Sequence, residues 1–316
     1  MLLAPDIIRA TDTAVKKSMD QALQDFNSRV LPDDRIDDIK TFFDDKRKHN
    51  LYPKLQQHLF GKLSSYIKSK ILQNADPHLQ CLFKQFQHKK CHNWLQTDPC
   101  LVKFSTMEFI MALYRRFRVP ILDQASPCSA CHIRVMDTHC DHATLCGYSS
   151  QNFKTRHDAV KLLLVNMDKS AGLRTKLEQN PTTAITSNIK PADVLFENYE
   201  DGHHLAVDVT VVSPFRGGVG NGAATTFMYT GDQAYVDKLG KYKGFTFKQN
   251  VTFQPFVIEE FGAVHKEGMN VFNRLCEFIA NRQNKDLTQI KFHYSKLLSS
   301  VIQRQNSRAI LSRLFL

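Results

Sequence analysis

Asp193 and Asp208 carry the strongest chemical signal in the chain, because each interrupts a run of strand-forming residues. The first lies in Lys190-Pro191-Ala192-Asp193-Val194-Leu195-Phe196, the second in His204-Leu205-Ala206-Val207-Asp208-Val209-Thr210-Val211-Val212. A strand period of two puts Leu205, Val207, Val209 and Val211 on one face and Ala206, Asp208, Thr210 and Val212 on the other. Asp208 therefore breaks an otherwise apolar face, where a charge is costly unless it is paired or metal-bound. Fifteen residues separate the two aspartates, which suits a hairpin that sets them side by side. Such a pair can hold magnesium. In outline this is the metal site of a nuclease.

A second cluster lies upstream. Cys128-Ser129-Ala130-Cys131 has the two-residue gap that lets both thiolates reach one ion, and His142 with Cys146 can close a tetrahedral site. This Cys3His pattern reads as a structural zinc knuckle, since four protein ligands leave no position for an activated water. Cys140, His139 and His132 compete for the same ion, and Cys140 is the main rival. The remaining cysteines, Cys81, Cys91, Cys100 and Cys276, are scattered, so they suggest reduced thiols instead of a disulfide framework.

The elements that must position these groups follow from periodicity. Residues 1–127 read as a helical, polar region, with Asp38 to Lys48 highly charged and Leu55 to Leu72 apolar at helical spacing. Lys46-Arg47-Lys48 fits either a nuclear import signal or a solvated helix face. Ser105-Thr106-Met107-Glu108 is a capping box that opens a helix, with Phe109, Ile110, Leu113 and Phe117 expected on its apolar face and Pro120 as its stop. Arg115, Arg116 and Arg118 are expected to complement its dipole, and Trp94 to pack in this layer. A second helix carries Phe153, His157, Val160, Leu164 and Met167 on one face. Two strands, a glycine-rich loop, a helix over about 226–242 and a strand over 253–258 follow. Pro255 points to a sheet edge or a strand start. Two helices close the chain, the last with Leu287, Ile290, Tyr294, Leu297 and Val301 at helical spacing.

A formal net charge of +11 suits a polyanionic partner. No apolar run approaches the roughly 20 residues needed to cross a bilayer, and the start is too short and too soon charged for a signal peptide. A nuclear or cytoplasmic protein, not a secreted one, is expected.

With these pieces in order, residues 90 to 265 resemble the restriction-like endonuclease of site-specific non-LTR retrotransposons, a branch of the PD-(D/E)XK nuclease superfamily. The resemblance rests on Trp94-Leu95 with Pro99, Cys128-x2-Cys131, Asp141-His142-Ala143 ending at Cys146, Arg156-His157-Asp158 and Pro191-Ala192-Asp193. It continues through Asp208-Val209-Thr210-Val211-Val212-Ser213-Pro214 and Lys238-x3-Tyr242. Two departures stand out. Thr210 replaces the superfamily's usual lysine two residues after the second acid, and Cys140 stands where relatives often have glycine.

The resemblance implies an α/β (α+β) fold, a restriction-endonuclease-like mixed sheet flanked by helices over residues 150–316. The zinc knuckle at 128–146 and the helical region would precede it. It implies magnesium-dependent DNA cleavage, with Asp193 and Asp208 as ligands, a catalytic lysine on the following helix at Lys238, with Lys241 as the alternative, and Tyr242 hydrogen-bonding a phosphate or the lysine. Arg156 and His157 would contact the scissile-strand phosphate. Glu259 and Glu260 are left outside the site. The implied use is nicking target DNA to prime reverse transcription, with element RNA and a reverse transcriptase as further partners. The alternatives are a catalytically inactive DNA-binding or scaffold descendant and a structure-specific branched-DNA nuclease.

Overall fold

The computed structural model describes residues 13–38, 41, 55–96, 98, 101–147, 150–183, 192–216 and 222–314. Lys46-Arg47-Lys48, most of the charged stretch before it, Pro99, Pro191 and the start of the glycine-rich stretch lie outside the described residues. The chain forms two compact units, Met1–Asp76 and Pro77–Leu316.

The first unit contains helices α1 (Thr13–Asn27) and α2 (Leu55–Gln73). The Asn27 side chain closes the loop after α1 by bonding both backbone polar groups of Ile36, at 2.8 and 2.9 Å. Lys62 pairs with Asp34 at 2.7 Å.

The second unit begins with α3 (Pro77–Gln85), a 3-10 helix over Lys89–Gln96, and α4 (Thr106–Phe117). The capping box forms as read: Ser105 accepts from the Glu108 N–H, and Glu108 from the Ser105 N–H. The buried face of α4 is not the expected one. Phe109 and Phe117 are exposed, while Glu108, Met111, Ala112 and Arg115 are buried. The reason is pairing across the fold. Arg115 meets Glu260, and Glu108 meets Arg308, so charged side chains face inward with their charges balanced. Arg115 and Arg118 thus bond carboxylates instead of decorating a helix end in solvent. Trp94 is buried, against the rings of Phe104 and Phe109.

A two-stranded hairpin follows, β1 (Ser126–Pro127) and β2 (Val135–Met136), then the short helix α5 (Asp141–Leu145) and the long helix α6 (Ser150–Ala171). The main sheet has four strands in the order β3 (Arg174–Gln179), β4 (Ala192–Glu200), β5 (His203–Val212) and β6 (Val251–Glu259). The first three pair antiparallel and β5 pairs parallel with β6. The fold is therefore mixed α/β, a mixed sheet flanked by helices. Strand β3 was not expected, because its residues alternate poorly and most are exposed. Pro255 sits inside β6, an edge strand, where its missing N–H costs no ladder bond.

Parallel pairing of β5 with β6 requires a crossover, supplied by α7 (Tyr229–Tyr242). One sheet face carries Val194, Phe196, Val207, Val209, Phe256 and Ile258 into the main core with α6, α8 (Lys266–Gln283) and α9 (Leu287–Leu314). Helix α7 lies over the opposite face, with Tyr242 against Phe253 and Lys238 against Asp208. Among the described residues no helix is long and apolar enough to cross a membrane.

Candidate active site and metal centre

The hairpin of β4 and β5 positions the carboxylates. Val194 pairs with Val207 and Leu195 with Ala206, and continuing this register by one residue sets Asp193 opposite Asp208. Directly opposed residues carry Cβ atoms roughly 5 Å apart on one face. Asp193 also reaches across the pair, accepting the Val209 N–H at 2.7 Å. Asp208 is 5% exposed, and its burial raises its pKa against the opposing pull of Lys238, with Asp193 adding to the rise.

Each aspartate has a basic partner. Lys238 Nζ lies 2.6 Å from Asp208 Oδ2. Lys241, the alternative lysine, is exposed and sits 5.0 Å over the Tyr242 ring. His157 lies 2.8 Å from Asp193 through Nε2 and 3.1 Å from Asp158 through Nδ1. Burial alone would lower the His157 pKa, but these two carboxylates outweigh it and the net shift is upward. His157 therefore stands in the site as a partner of Asp193.

Tyr242 is buried, and its ring packs edge-on against Phe245 and Phe253. Its hydroxyl pKa is raised by burial and by the facing Asp208 carboxylate. Arg156 requires a correction. It is 2% exposed, and its guanidinium donates to the Thr144 carbonyl and to Asn306 and pairs with Glu260. It is not presented to a phosphate at the aspartates, because its planar donors complete an interior carboxylate.

Glu260 is the centre of that interior network. It pairs with Arg115 at 3.1 Å and accepts from Ser213 at 2.6 Å, while Arg115 also meets Asp141 beside the cysteine cluster. Glu259 takes a different role. Its carboxylate accepts the Gly231 N–H in the first turn of α7 at 2.8 Å and the Gln85 side-chain amide at 2.5 Å. Both glutamates are fully buried at the far end of β6, on the order of 13 Å along the strand from Pro255, which pairs with Asp208. Their work as a helix anchor and a charge hub left no local signal in the sequence.

The cysteine cluster comes together as its spacing indicates. The ligand atoms of Cys128, Cys131, His142 and Cys146 lie within 4.8 Å of one another, a donor set that could hold a metal such as zinc. Cys128 and Cys131 come from the turn between β1 and β2, and His142 and Cys146 from α5 and its end. Asp137 begins that helix by accepting the backbone N–H groups of His139, Asp141 and His142. Backbone N–H groups of Arg134 and Ile133 bond the Cys131 sulfur and lower its pKa to about 6. The rivals Cys140, His139 and His132 are not among these four donors. Cys140 is buried against Met136, Ala143 and Ile310, with its thiol pushed up to about 12 by burial, and His132 is exposed. Cys140 also has φ 58°, a left-handed conformation that glycine adopts most readily.

Neither the protein-family models nor the curated proteins compared with this chain match it.

Proposed function

We propose that the protein is a magnesium-dependent DNA endonuclease of the restriction-like type, with a structural zinc knuckle beside the nuclease core. The observation that carries this reading is the opposition of Asp193 and Asp208 across two strands, with Lys238 bonded to the second. A buried and a partly buried carboxylate facing each other in a medium of reduced dielectric call for added positive charge. Asp193 and Asp208 would hold the ion. When bound, magnesium would polarise the phosphate and neutralise charge developing in phosphodiester hydrolysis.

The chain's own residues do the rest. Lys238 is half-buried on a flexible stem, so its ammonium can turn from Asp208 toward a phosphate oxygen and stabilise the charge that develops there. His157 fixes the orientation of Asp193, in the way that outer residues orient metal ligands. Tyr242 backs the lysine helix against Phe253. The cysteine cluster, joined to the core through Asp141, Arg115 and Glu260, fits a module that fixes the surface around the cut. Nicking of target DNA to prime reverse transcription, with a reverse transcriptase and element RNA as partners, is the biological use that this reading accommodates.

The test is conversion of supercoiled plasmid to open circle with magnesium. Wild type should nick, and Asp193→Asn and Asp208→Asn should not. Equal activity in all three would remove the carboxylates from the chemistry. Thr210, two residues after Asp208 where a strand-borne lysine would stand, supports a second reading as a DNA-binding descendant without catalysis. That reading predicts DNA binding by all three proteins and nicking by none.

A further inference from the structure

A cavity of about 690 Å³ opens between the cysteine cluster and the end of β5. Its wall includes Arg134, Gly147, Phe153, Arg156, Ser213 and Arg216. Phe153, in the first turn of α6, is 36% exposed. It stands beside Gly147, where an added Cβ would lie 3.7 Å from the ring, so one side of the ring meets bare backbone. Arg134 and Arg216 are exposed. Arg156 is buried behind the ring, 5.2 Å from its centroid, and its Nε has no hydrogen-bond partner among the described residues. Among the described residues, no carboxylate lines the cavity.

An aromatic surface and the two exposed guanidinium groups of Arg134 and Arg216, with Arg156 behind them already paired to Glu260, select a ligand that is both planar and anionic. The volume falls within the range of about 300 to 1,000 Å³ typical of small-molecule sites. Strand β5 and the residue after it run from Asp208 to the cavity wall at Val211 to Ser213, on the order of 10 to 17 Å at strand rise. A nucleic-acid strand crossing the carboxylates would cover that distance within a few nucleotides. A base inside a duplex has both faces covered, so only an extruded or unpaired base can lie on Phe153.

We infer that this cavity takes one unpaired nucleotide of the DNA strand next to the cleavage position, its base on Phe153 and its phosphates against Arg134 and Arg216. The inference rests on the nuclease reading for the identity of the polymer, and it specifies the substrate class as DNA that is open beside the cut.

The test uses the full chain with zinc bound and calcium in place of magnesium to hold cleavage. Binding is measured by fluorescence anisotropy on two probes of one sequence, a fully paired duplex and one with a short unpaired bulge containing 2-aminopurine. Wild type should prefer the bulged probe by about tenfold, the scale of stacking one base on an aromatic ring, and quench its 2-aminopurine. Phe153→Ala should lose the preference and the quenching, while Phe153→Trp keeps both. Arg134→Ala and Arg216→Ala should each weaken binding to the bulged probe. Equal affinities for wild type, Phe153→Ala and Arg216→Ala would overturn the inference. Plasmid nicking by the same preparations separates the two readings. Nicking with no effect of the cavity variants overturns the cavity alone. Cavity-dependent binding without nicking overturns the nuclease and leaves the cavity, and binding to neither probe overturns both.

Discussion

Lys238 Nζ lies 2.6 Å from Asp208 Oδ2, a contact made from the crossover helix down onto a strand in which Thr210 occupies the alternative lysine position. The ammonium balances a carboxylate that burial makes hard to ionise. Lys238→Ala should lower the nicking rate by about 10²- to 10³-fold, the usual loss when one preorganised charge donor is removed. Lys241→Ala removes an exposed charge with no contact to Asp208 and should stay within about fivefold of wild type. Rates from both variants at saturating DNA decide between the two lysines.

Arg156 gives a prediction of a different kind. Its removal takes one of two guanidinium partners from Glu260, leaving Arg115 with the Ser213 and Thr144 hydroxyls, and strips a donor from the Thr144 carbonyl. Arg156→Ala should destabilise the fold by about 3 kcal/mol, the cost of breaking a buried ion pair from one side. Denaturant unfolding reads this directly. A phosphate-contact residue would instead weaken DNA binding and leave the unfolding midpoint in place.

The stability of the fold should depend on pH through Glu259. Burial raises its pKa from 4.5 to about 7, opposed by bonds from Gly231 and Gln85. Between those values the native state holds a proton that the unfolded state has released, so stability falls as pH rises through this window. The loss is on the order of 2 to 3 kcal/mol by proton linkage. Glu259→Gln should remove this slope. Urea unfolding of both proteins at pH 5 and pH 7.5 measures the difference, and parallel slopes would show that Glu259 ionises freely.

Cys140 and Cys128 should behave oppositely. Cys128→Ser removes a ligand and should abolish stoichiometric zinc and lower the unfolding temperature. Cys140→Gly keeps all four ligands and relieves a left-handed backbone while giving up a buried sulfur. It should keep its zinc and lie within about 1 kcal/mol of wild-type stability. Metal analysis with thermal unfolding distinguishes them.

Much of this site was legible because its signals are local. The alternation around Asp208, the cysteine spacing and the capping box at Ser105 each depend on a few consecutive residues. The helix of Lys238 was legible too, and Lys238, the preferred of its two candidate lysines, is the one that meets Asp208. What escaped depends on partners distant in sequence. Arg115 was expected at a helix end in solvent, and the burial of Glu108 was not foreseen, because Glu260 and Arg308, which neutralise them, are remote in the chain. Strand β3 has neither alternation nor an apolar run, since it is an edge whose side chains mostly face water. The bond from His157 to Asp193 follows from how the N-terminal half of α6 lies against the sheet, which no spacing records.

The seven-residue step from Gly231 to Lys238 amounts to nearly two helical turns, so Glu259 and Asp208 hold the same stripe of α7 at two points. The helix is thereby indexed, like a key seated in two notches. Inserting one residue between those points would turn the lysine by about 100° and leave the fold's core untouched. Insertions before Tyr229 would leave the angular setting intact. The crossover can therefore change length without losing its lysine anywhere except between Gly231, where Glu259 locks the helix phase, and Lys238.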